Sequence, residues 1–215
     1  METNSKYFVS KENSKDAGLS DKPKFGLVIM ASGLSKRFGS NKLMEPLLDK
    51  TVIEWILETV AGVFDRQIVV TRSMAVRDLC DRLGTDCIFH EQPYRSDTVR
   101  IGLSAMKDEI DYCFFTPADQ PLIRRQTIID LVEQAKKSED KIVRPAFKEV
   151  VGAPIGFPRK YFDELLNLPE GKGGGFVAKK YLSEVEYVSV KNEYELWDID
   201  TAEDLEKIKK VIKNI

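Results

Sequence analysis

A glycine-containing loop with three basic residues, Lys36, Arg37 and Lys42, follows the first apolar run of the chain, and its residue types suit phosphate chemistry. The candidates for binding a phosphate group are Ala31, Ser32, Gly33, Leu34, Ser35, Arg37 and Lys42. A glycine lets backbone N–H groups approach phosphate oxygens, an arginine offers two parallel donors, and a lysine offers a mobile positive charge. The spacing is neither that of a P-loop nor that of a dinucleotide fingerprint. From these residues alone, the loop is either a phosphate-binding loop or an ordinary solvated turn.

A second candidate is the carboxylate of Asp119, which stands in the sequence Thr-Pro-Ala-Asp-Gln-Pro at residues 116–121. Pro117 cannot donate to a central strand ladder, so the preceding strand is predicted to end at about Thr116. The second proline delays the next helix, and the result is a rigid loop at the edge of a sheet. A carboxylate held there suits Mg²⁺, which binds one or two carboxylates together with phosphate oxygens and water. A turn or helix-capping aspartate is the alternative.

A third candidate is the pair Asp198 and Asp200, separated by one apolar residue. Alternate residues of an extended segment share a face, and two carboxylates on one face repel each other unless a cation lies between them. We therefore predict Asp119, Asp200 and Asp198 as metal ligands. The alternative is a set of surface acids in front of a helix capped by Thr201.

The composition excludes several other functions. The net charge of the 215-residue chain is −2, which argues against extended nucleic-acid binding. No apolar run is long enough to span a membrane. Three cysteines do not make a disulfide framework, and the single histidine, His90, excludes most Ser–His and Cys–His nucleophiles. Residues 1–23 are polar and predicted to be a disordered tail before one domain at residues 24–215, and a cytoplasmic location is expected.

Apolar runs and helical periodicities alternate along the rest of the chain, and they define the elements that must position these groups. Strands are predicted at residues 25–31, 67–71, 86–90, 112–116, 141–144 and 185–190, and helices at 51–64, 73–83, 97–106, 124–137, 159–168, 176–182 and 201–213. This alternation predicts a single Rossmann-like three-layer α/β domain with a mostly parallel sheet. Ligands of such sheets bind beyond the carboxyl ends of the strands, where the first two loops lie.

Three segments in this order resemble the MobA-like nucleotidyltransferases, most closely the molybdenum cofactor cytidylyltransferase branch. The opening signature, Leu-Ala-Ala-Gly-x-[Ser/Gly]-x-Arg-[Met/Phe]-Gly-x-x-Lys, is matched at residues 30–42 with Ser32 in place of the second alanine. The sequences Pro-Ala-Asp-Gln-Pro at residues 117–121 and Asp-Ile-Asp-Thr at residues 198–201 match fully. The resemblance covers residues 25–210 and implies a fold like that of the nucleotide-diphospho-sugar transferases.

The resemblance implies transfer of CMP from CTP to the terminal phosphate of molybdopterin or the molybdenum cofactor, with release of pyrophosphate. Lys42, Arg37 and Asp119 would be catalytic, and Mg²⁺ would be the cofactor. Residues 95–103 are similar to a base-contacting stretch of cytidylyltransferases, which makes Arg95 and Thr98 nucleotide-binding candidates. A molybdoenzyme is the implied protein partner. The alternatives are a guanylyl, sugar-phosphate or polyol-phosphate nucleotidyltransferase of the same fold, and a non-catalytic nucleotide-binding cofactor chaperone.

Two departures from this branch concern the acceptor. The chain has Gly-Ala-Pro at residues 152–154 where the branch usually has Gly-His-Pro, and Gly-Lys-Gly-Gly at residues 171–174 in place of Gly-Asp-x-Gly. Both regions face the acceptor in the family. We therefore expect an acceptor that differs from molybdopterin or is held differently.

Overall fold

A strand that is apolar on both faces organises the fold. In the computed structural model, which describes residues 22–33 and 38–214, strand β1 spans Phe25–Ala31 and is buried along almost its whole length. Such burial on both faces is typical of the central strands of parallel sheets. The predicted tail residues 1–21 and the site candidates Leu34, Ser35 and Arg37 lie outside the described residues.

Ten strands and seven α-helices occur in the described part of the chain. After β1 the strands are β2 (Pro46–Leu47), β3 (Lys50–Thr51), β4 (Arg66–Thr71), β5 (Cys87–Phe89), β6 (Tyr112–Pro117), β7 (Ile142–Phe147), β8 (Val150–Val151), β9 (Ile155–Pro158) and β10 (Val185–Ser189). The helices are α1 (Val52–Val60), α2 (Met74–Leu83), α3 (Arg95–Ser104), α4 (Arg125–Lys137), α5 (Phe162–Leu166), α6 (Gly174–Lys180) and α7 (Ala202–Ile212).

The main sheet has the strand order β10-β7-β9-β6-β1-β4-β5, with β8 paired to β7. Strand β1 pairs in parallel with β4 and β6, and β4 pairs in parallel with β5. Strand β9 is antiparallel to both β6 and β7. The carboxyl ends of β1, β4 and β6 consequently meet at one edge of a mostly parallel sheet, which confirms the predicted fold class.

Helices cover both faces of the sheet. Alternate residues of β1 face opposite sides: Leu27 and Ile29 belong to a cluster formed with α1, α2, α4 and α7, whereas Val28 belongs to a cluster formed with α3, α5 and α6. Two buried clusters separated by a sheet give the three layers. No helix in residues 22–33 or 38–214 is long and apolar enough to cross a membrane.

Capping residues in the sequence correctly predicted both ends of helix α2. Ser73 caps α2 by accepting a hydrogen bond from the Val76 N–H (3.3 Å), and Gly84 ends it in the left-handed conformation with φ 64°. The strand predicted to stop before Pro145 instead continues to Phe147. Pro145 lies opposite Gly152, whose N–H donates to the proline carbonyl at 2.9 Å. The proline is tolerated because the Gly152 carbonyl accepts from the Arg144 side chain and does not need the missing N–H.

Candidate active site

A cavity of about 420 Å³ opens at the carboxyl ends of β1, β4 and β6. Its lining includes seven predicted site residues and several others: Met30, Ser32, Gly33, Lys42, Leu43, Arg72, Pro93, Tyr94, Arg95, Thr98, Pro117, Asp119 and Asp200. The topology thus brings together residues that are up to 170 positions apart in sequence, because three parallel strands end at the same edge. We call this space the first cavity.

Lys42 is the cation at the centre of the carboxylates in the first cavity. It lies on a short 3₁₀ turn, Lys42–Met44, and only 8% of the residue is exposed. Its Nζ is 2.6 Å from Asp119 Oδ2 and 3.2 Å from Asp200 Oδ1, and it donates to the Ile199 carbonyl at 2.6 Å. Burial alone lowers the pKa of Lys42, but the attraction of Asp119 and the hydrogen bonds to both aspartates raise the pKa above its ordinary value. The side chain is therefore charged at neutral pH.

The Asp119 loop is tied to two neighbouring segments by backbone hydrogen bonds. The Ala118 N–H donates to the Met30 carbonyl at 3.2 Å, and the Ile199 N–H donates to the Asp119 carbonyl at 3.0 Å. One carboxylate oxygen of Asp119 pairs with Lys42, while Oδ1 is buried without a hydrogen-bond partner among the described residues. A buried carboxylate oxygen without a donor is costly, so this atom favours a bound cation or donor.

Asp198 and Asp200 do not line the same cavity. Asp200 lines the first cavity, whereas Asp198 lines an adjoining one. Thr201 caps α7, and Asp204 completes the capping box. The Asp204 carboxylate also accepts from the Asp200 N–H at 3.1 Å, which restrains the backbone at this position. Desolvation at the cavity wall and repulsion from Asp119 raise the pKa of Asp198 to about 6.

The residues present fit a hard divalent cation through two carboxylates. In the described part of the chain no group of three or more His, Cys, Asp or Glu side chains could by itself hold a metal ion. Mg²⁺ needs only one or two carboxylates when phosphate oxygens and waters complete its shell. Asp119 and Asp200 meet that requirement, because both line the first cavity and already share one cation, the Lys42 ammonium. Asp198 lies beside them on the wall of the adjoining cavity.

The amino end of α3 forms another wall of the first cavity. Thr98 is 1% exposed, and its hydroxyl Oγ1 has no hydrogen-bond partner among the described residues. Arg95 lines both cavities and lies against Gly173, whose added Cβ would be 3.1 Å from the arginine Cδ. An unpartnered buried hydroxyl beside a cation suits a polar ligand. The two predicted base-end candidates therefore lie together on this wall.

A serine–histidine contact beside the first cavity was missed by the sequence reasoning, which used His90 only to exclude nucleophile schemes. Ser32 Oγ donates to the Val70 carbonyl (3.1 Å) and lies 2.8 Å from His90 Nε2. Burial, and then the charge of Arg72, lower the pKa of His90, so the ring is neutral at pH 7 and Nε2–H is assigned as donor to Ser32. The serine proton is directed to a carbonyl, so this is not an activated nucleophile. A spacing of 58 residues left no local signal for it.

Ala31 differs from its neighbours in the loop. Its side chain is buried in the core, its carbonyl accepts from Thr71 Oγ1 at 3.0 Å, and it does not line the first cavity. Ser32 and Gly33 follow at the cavity wall. A Cβ added to Gly33 would meet no described atom within 4 Å, so the surface beside this glycine is open.

A second cavity, of about 830 Å³, adjoins the first and shares Met30, Arg95 and Pro117 with it. Its other lining residues are Phe115, Gln120, Arg144, Val151, Gly152, Ala153, Ile155, Gly171, Lys172, Gly173, Gly174, Gly175, Phe176, Lys179, Leu196 and Asp198. These include the two segments in which the chain departs from the cofactor branch. Arg144 and Lys179 were not expected, because they lie in regular elements without a motif.

Comparison with known proteins identifies the family. The MobA-like NTP transferase domain matches residues 27–185. A probable molybdenum cofactor guanylyltransferase of Aquifex aeolicus is 26% identical over 84% of this chain and 88% of its own length. A 2-C-methyl-D-erythritol 4-phosphate cytidylyltransferase of Endomicrobium trichonymphae is 32% identical over 58% of this chain and 59% of its own length.

Solved structures share the fold. The crystal structure of Rv0371c from Mycobacterium tuberculosis H37Rv is similar with a TM-score of 0.76 and 27% identity, over 88% of this chain and 99% of that one. A structure of the same mycobacterial protein in complex with manganese has a TM-score of 0.71 and 25% identity, over 87% and 98% of the two chains.

Proposed function

The chain belongs to the MobA-like NTP transferase family, and from this premise we propose that it transfers a nucleoside monophosphate from an NTP to the terminal phosphate of a small acceptor. The observation that carries the proposal is the cluster of Lys42, Asp119 and Asp200 in the first cavity, which adjoins the second cavity along Met30, Arg95 and Pro117. One cavity accommodates the donor nucleotide and the other the acceptor. The reacting phosphates then meet where the cavities join, beside Arg95.

The reaction needs positioning and charge neutralisation and no covalent enzyme intermediate. An oxygen of the acceptor phosphate forms a bond to the α-phosphorus as the bond from that phosphorus to the bridging oxygen breaks, and pyrophosphate leaves. The charged Lys42 would stabilise negative charge on the α-phosphate, with Gly33 and Arg37 holding the β- and γ-phosphates. Asp119 and Asp200, with Asp198 beside them, would hold Mg²⁺, which when bound neutralises phosphate charge. The manganese complex of the similar mycobacterial protein supports a divalent cation.

We propose CTP as the donor, with GTP as the second candidate. The Arg95 and Thr98 segment resembles cytidylyltransferases, and the Ser32 side chain, held by Val70 and His90, lines the first cavity. Several curated relatives are named molybdenum cofactor guanylyltransferases, and these names favour GTP over CTP. Ser32 offers a remaining acceptor lone pair, which suits the exocyclic amino group of cytosine.

The proposed acceptor is molybdopterin or the molybdenum cofactor, as the name of the relative suggests. The product would pass to a molybdoenzyme partner, and we propose that both steps take place in the cytoplasm. A sugar-phosphate or polyol-phosphate acceptor is the alternative, supported by the relative that acts on methylerythritol phosphate. A nucleotide-binding chaperone without catalysis is a further candidate, but it would not need Lys42 and Asp119 in direct contact.

The test is a pyrophosphate-release assay with Mg²⁺, CTP or GTP, and the molybdenum cofactor, with the nucleotidylated product identified by mass spectrometry. We expect release with CTP and the cofactor together, and at least about tenfold less with GTP. Faster turnover with GTP would assign the chain to the guanylyl class. Tight NTP binding without any transfer to the cofactor or to methylerythritol phosphate would refute the proposed reaction and favour the chaperone.

Lys42→Ala is the control that links this activity to the site. We expect kcat to fall by about 100-fold or more while NTP affinity changes less, because the ammonium acts mainly on charge that develops in the transition state. The variant also leaves Asp119 and Asp200 without this shared cation, so its melting temperature is measured in parallel. A near-normal kcat would remove Lys42 from the catalytic group.

A further inference from the structure

Arg144 in the second cavity is a cation without an acidic partner in the described part of the chain. It lies in β7 and is half-buried, and its hydrogen bonds there go only to the carbonyl of Gly152. Burial lowers the pKa of this guanidinium from its ordinary value, although arginine stays charged near neutral pH. A desolvated positive charge is costly unless something compensates it. The position of Arg144 therefore calls for a ligand that supplies negative charge or strong acceptors.

The guanidinium is held in one orientation. Its Nε and Nη2 both donate to the Gly152 carbonyl, at 3.1 Å and 2.8 Å. Since an arginine has five N–H donors in a fixed plane, these two bonds use one edge and leave the edge formed by Nη1 and Nη2 with donors available. That edge is the one that binds two neighbouring acceptor atoms in parallel. A side chain already fixed in this way loses little conformational entropy on binding.

The surroundings of Arg144 in the second cavity are positive and backbone-rich. Lys172, Lys179 and Arg95 also line it, and Asp198 is the carboxylate on its described wall. Ala153 contributes only a methyl group. Arg144 does not line the first cavity, so it is separate from the residues that would surround the donor phosphates. A ligand whose phosphate lies at the junction would present a different part of itself to Arg144.

We propose that Arg144 recognises a second group of the acceptor, distinct from the phosphate that receives the nucleotide, and that this group presents two adjacent hydrogen-bond acceptor atoms. The inference rests on the proposed function, because it takes the second cavity as the acceptor site. Two kinds of chemical group present such a pair of acceptor atoms: an oxyanion such as a carboxylate, and the acceptor edge of a planar heterocycle. Arg144 is thus a residue that determines acceptor specificity.

The experiment compares Arg144→Gln and Arg144→Lys with the matched control Lys148→Gln. Lys148 is an exposed cation that follows β7 and lines neither cavity. The KM for the molybdenum cofactor is measured at saturating NTP, the Kd of the cofactor by equilibrium dialysis without NTP, and the Kd of the NTP by thermal shift. In Arg144→Gln we expect the cofactor KM and Kd to rise about 10- to 100-fold, with the NTP Kd unchanged within about twofold.

The Arg144→Lys variant distinguishes an oxyanion from a heterocycle edge as the group that Arg144 binds. Lysine keeps the charge but not the planar pair of donors. Partial recovery of cofactor affinity that weakens with added salt would indicate an oxyanion, whereas no recovery would indicate a heterocycle edge. A purely structural role for Arg144 would instead lower the melting temperature and weaken the NTP as well. The hairpin formed by β7 and β8 is also held by a hydrogen bond from the Gly152 N–H to the Pro145 carbonyl (2.9 Å). This bond does not involve the Arg144 side chain, so we expect the hairpin to fold in each variant.

The outcomes distinguish this inference from the proposed function. If the wild-type chain transfers a nucleotide to the cofactor and Arg144→Gln leaves its KM and Kd unchanged, the Arg144 inference alone is wrong. If the wild-type chain shows no transfer but binds the cofactor, and Arg144→Gln weakens that binding, the inference holds and the reaction fails. If the wild-type chain neither transfers to the cofactor nor binds it, both are overturned.

Discussion

Lys42 joins parts of the chain that are far apart in sequence, because its ammonium contacts Asp119, Asp200 and the Ile199 carbonyl. Such a partly buried group has a large desolvation cost, and the paired carboxylates offset it only while all partners remain. Charge complementarity therefore fixes the relative positions of these loops before any ligand binds. A transition state that gains negative charge meets a cation that is already oriented.

Asp119→Asn is predicted to reduce turnover by about two orders of magnitude or more, because a neutral amide oxygen is a weaker ligand for a hard cation than a carboxylate. The sequence alone predicts that the melting temperature holds or rises, since repulsion among three carboxylates is relieved. The ion pair with Lys42 at 2.6 Å reverses that expectation. We expect a loss of about 1–3 kcal/mol of unfolding free energy, with Asp200 and the Ile199 carbonyl retaining the lysine.

Steady-state kinetics, thermal unfolding and the Mg²⁺-dependent part of NTP stabilisation check this prediction. Asp108→Asn is a suitable control, because Asp108 is exposed and lines neither cavity. Activity of Asp119→Asn within a few-fold of the unchanged chain would contradict the metal role, since asparagine caps a turn about as well as aspartate.

His90 gives a pH prediction that can be measured directly, because the chain has one histidine. Its folded-state pKa lies below the ordinary value of 6.5, so the unfolded chain binds the proton more tightly. The free energy of unfolding therefore falls as the pH is lowered through about 6.5. His90→Gln, which retains an N–H donor for Ser32, should remove this fall.

The measurement for His90 is the NMR titration of its ring protons together with unfolding at pH 5.5 and 7.5. Asp198 works in the opposite sense, since its raised pKa of about 6 makes the folded state bind a proton more tightly. The difference between the His90→Gln variant and the unchanged chain isolates the histidine. A ring pKa above 6.5 would show that the imidazole gains a charged partner instead.

Ser32, Gly33 and Asp119 could be located from the sequence because they directly follow β1 and β6, whose carboxyl ends meet at one edge of the sheet. Arg144 and the Ser32–His90 contact could not be located in this way. Arg144 lies inside β7, and its partner at Gly152 becomes apparent only when the hairpin is formed. The proximity of Ser32 and His90 depends on how β1 and β5 flank β4.

At the scale of elements, helix α3 packs close to the sheet because Gly102 has no side chain at the contact. A Cβ added to Gly102 would lie 2.5 Å and 2.8 Å from the Val28 methyl groups and 3.1 Å from Val70 Cγ2, and both valines are fully buried. The helix approaches β1 and β4 closely only because this side chain is absent. The same helix carries Arg95 and Thr98 at its amino end, so its distance from the sheet sets one wall of the first cavity.

Gly102→Ala is therefore predicted to lower the unfolding free energy by about 1–3 kcal/mol through overpacking, and to weaken NTP binding as α3 moves outward. Denaturant unfolding and NTP titration measure the two effects. Ser104→Ala, at an exposed position of the same helix, should stay within about 0.5 kcal/mol of the unchanged chain. Normal stability and NTP affinity in Gly102→Ala would show that the helix can shift at no cost.

The order of helices and strands was largely predictable, but the sheet was not predictable in full. Continuous apolar runs indicated the buried parallel strands, and Ser73 and Gly84 marked the ends of α2. The sequence of residues 150–157 indicates an extended segment but not the antiparallel pairing of β9, because short apolar runs do not reveal their direction. The two-residue strands β2 and β3 carry too few residues for any periodic signal.

At the scale of the whole molecule, the sheet edge supports two adjoining cavities whose walls come from different layers. The Lys42 turn packs on the face covered by α1 and α2, whereas Arg95 belongs to α3 on the other face. The site consequently depends on both buried clusters. Loss of either layer should abolish nucleotide binding, so binding of an NTP reports on the integrity of the whole fold.

Residues 1–22 are predicted to be dispensable for folding and for NTP binding. Both buried clusters begin at Phe25 or later, and the Lys24 N–H that donates to Asp111 Oδ2 at 3.0 Å is retained in a chain that starts at Pro23. We expect this shortened chain to keep its melting temperature. It should also keep the NTP- and Mg²⁺-dependent rise, about 2.7 kcal/mol at 100 times the Kd, or roughly 5–10 °C. A fall of several degrees without ligand would show that residues 1–22 pack on the domain, whereas loss of the ligand-dependent rise alone would show that they contact the nucleotide.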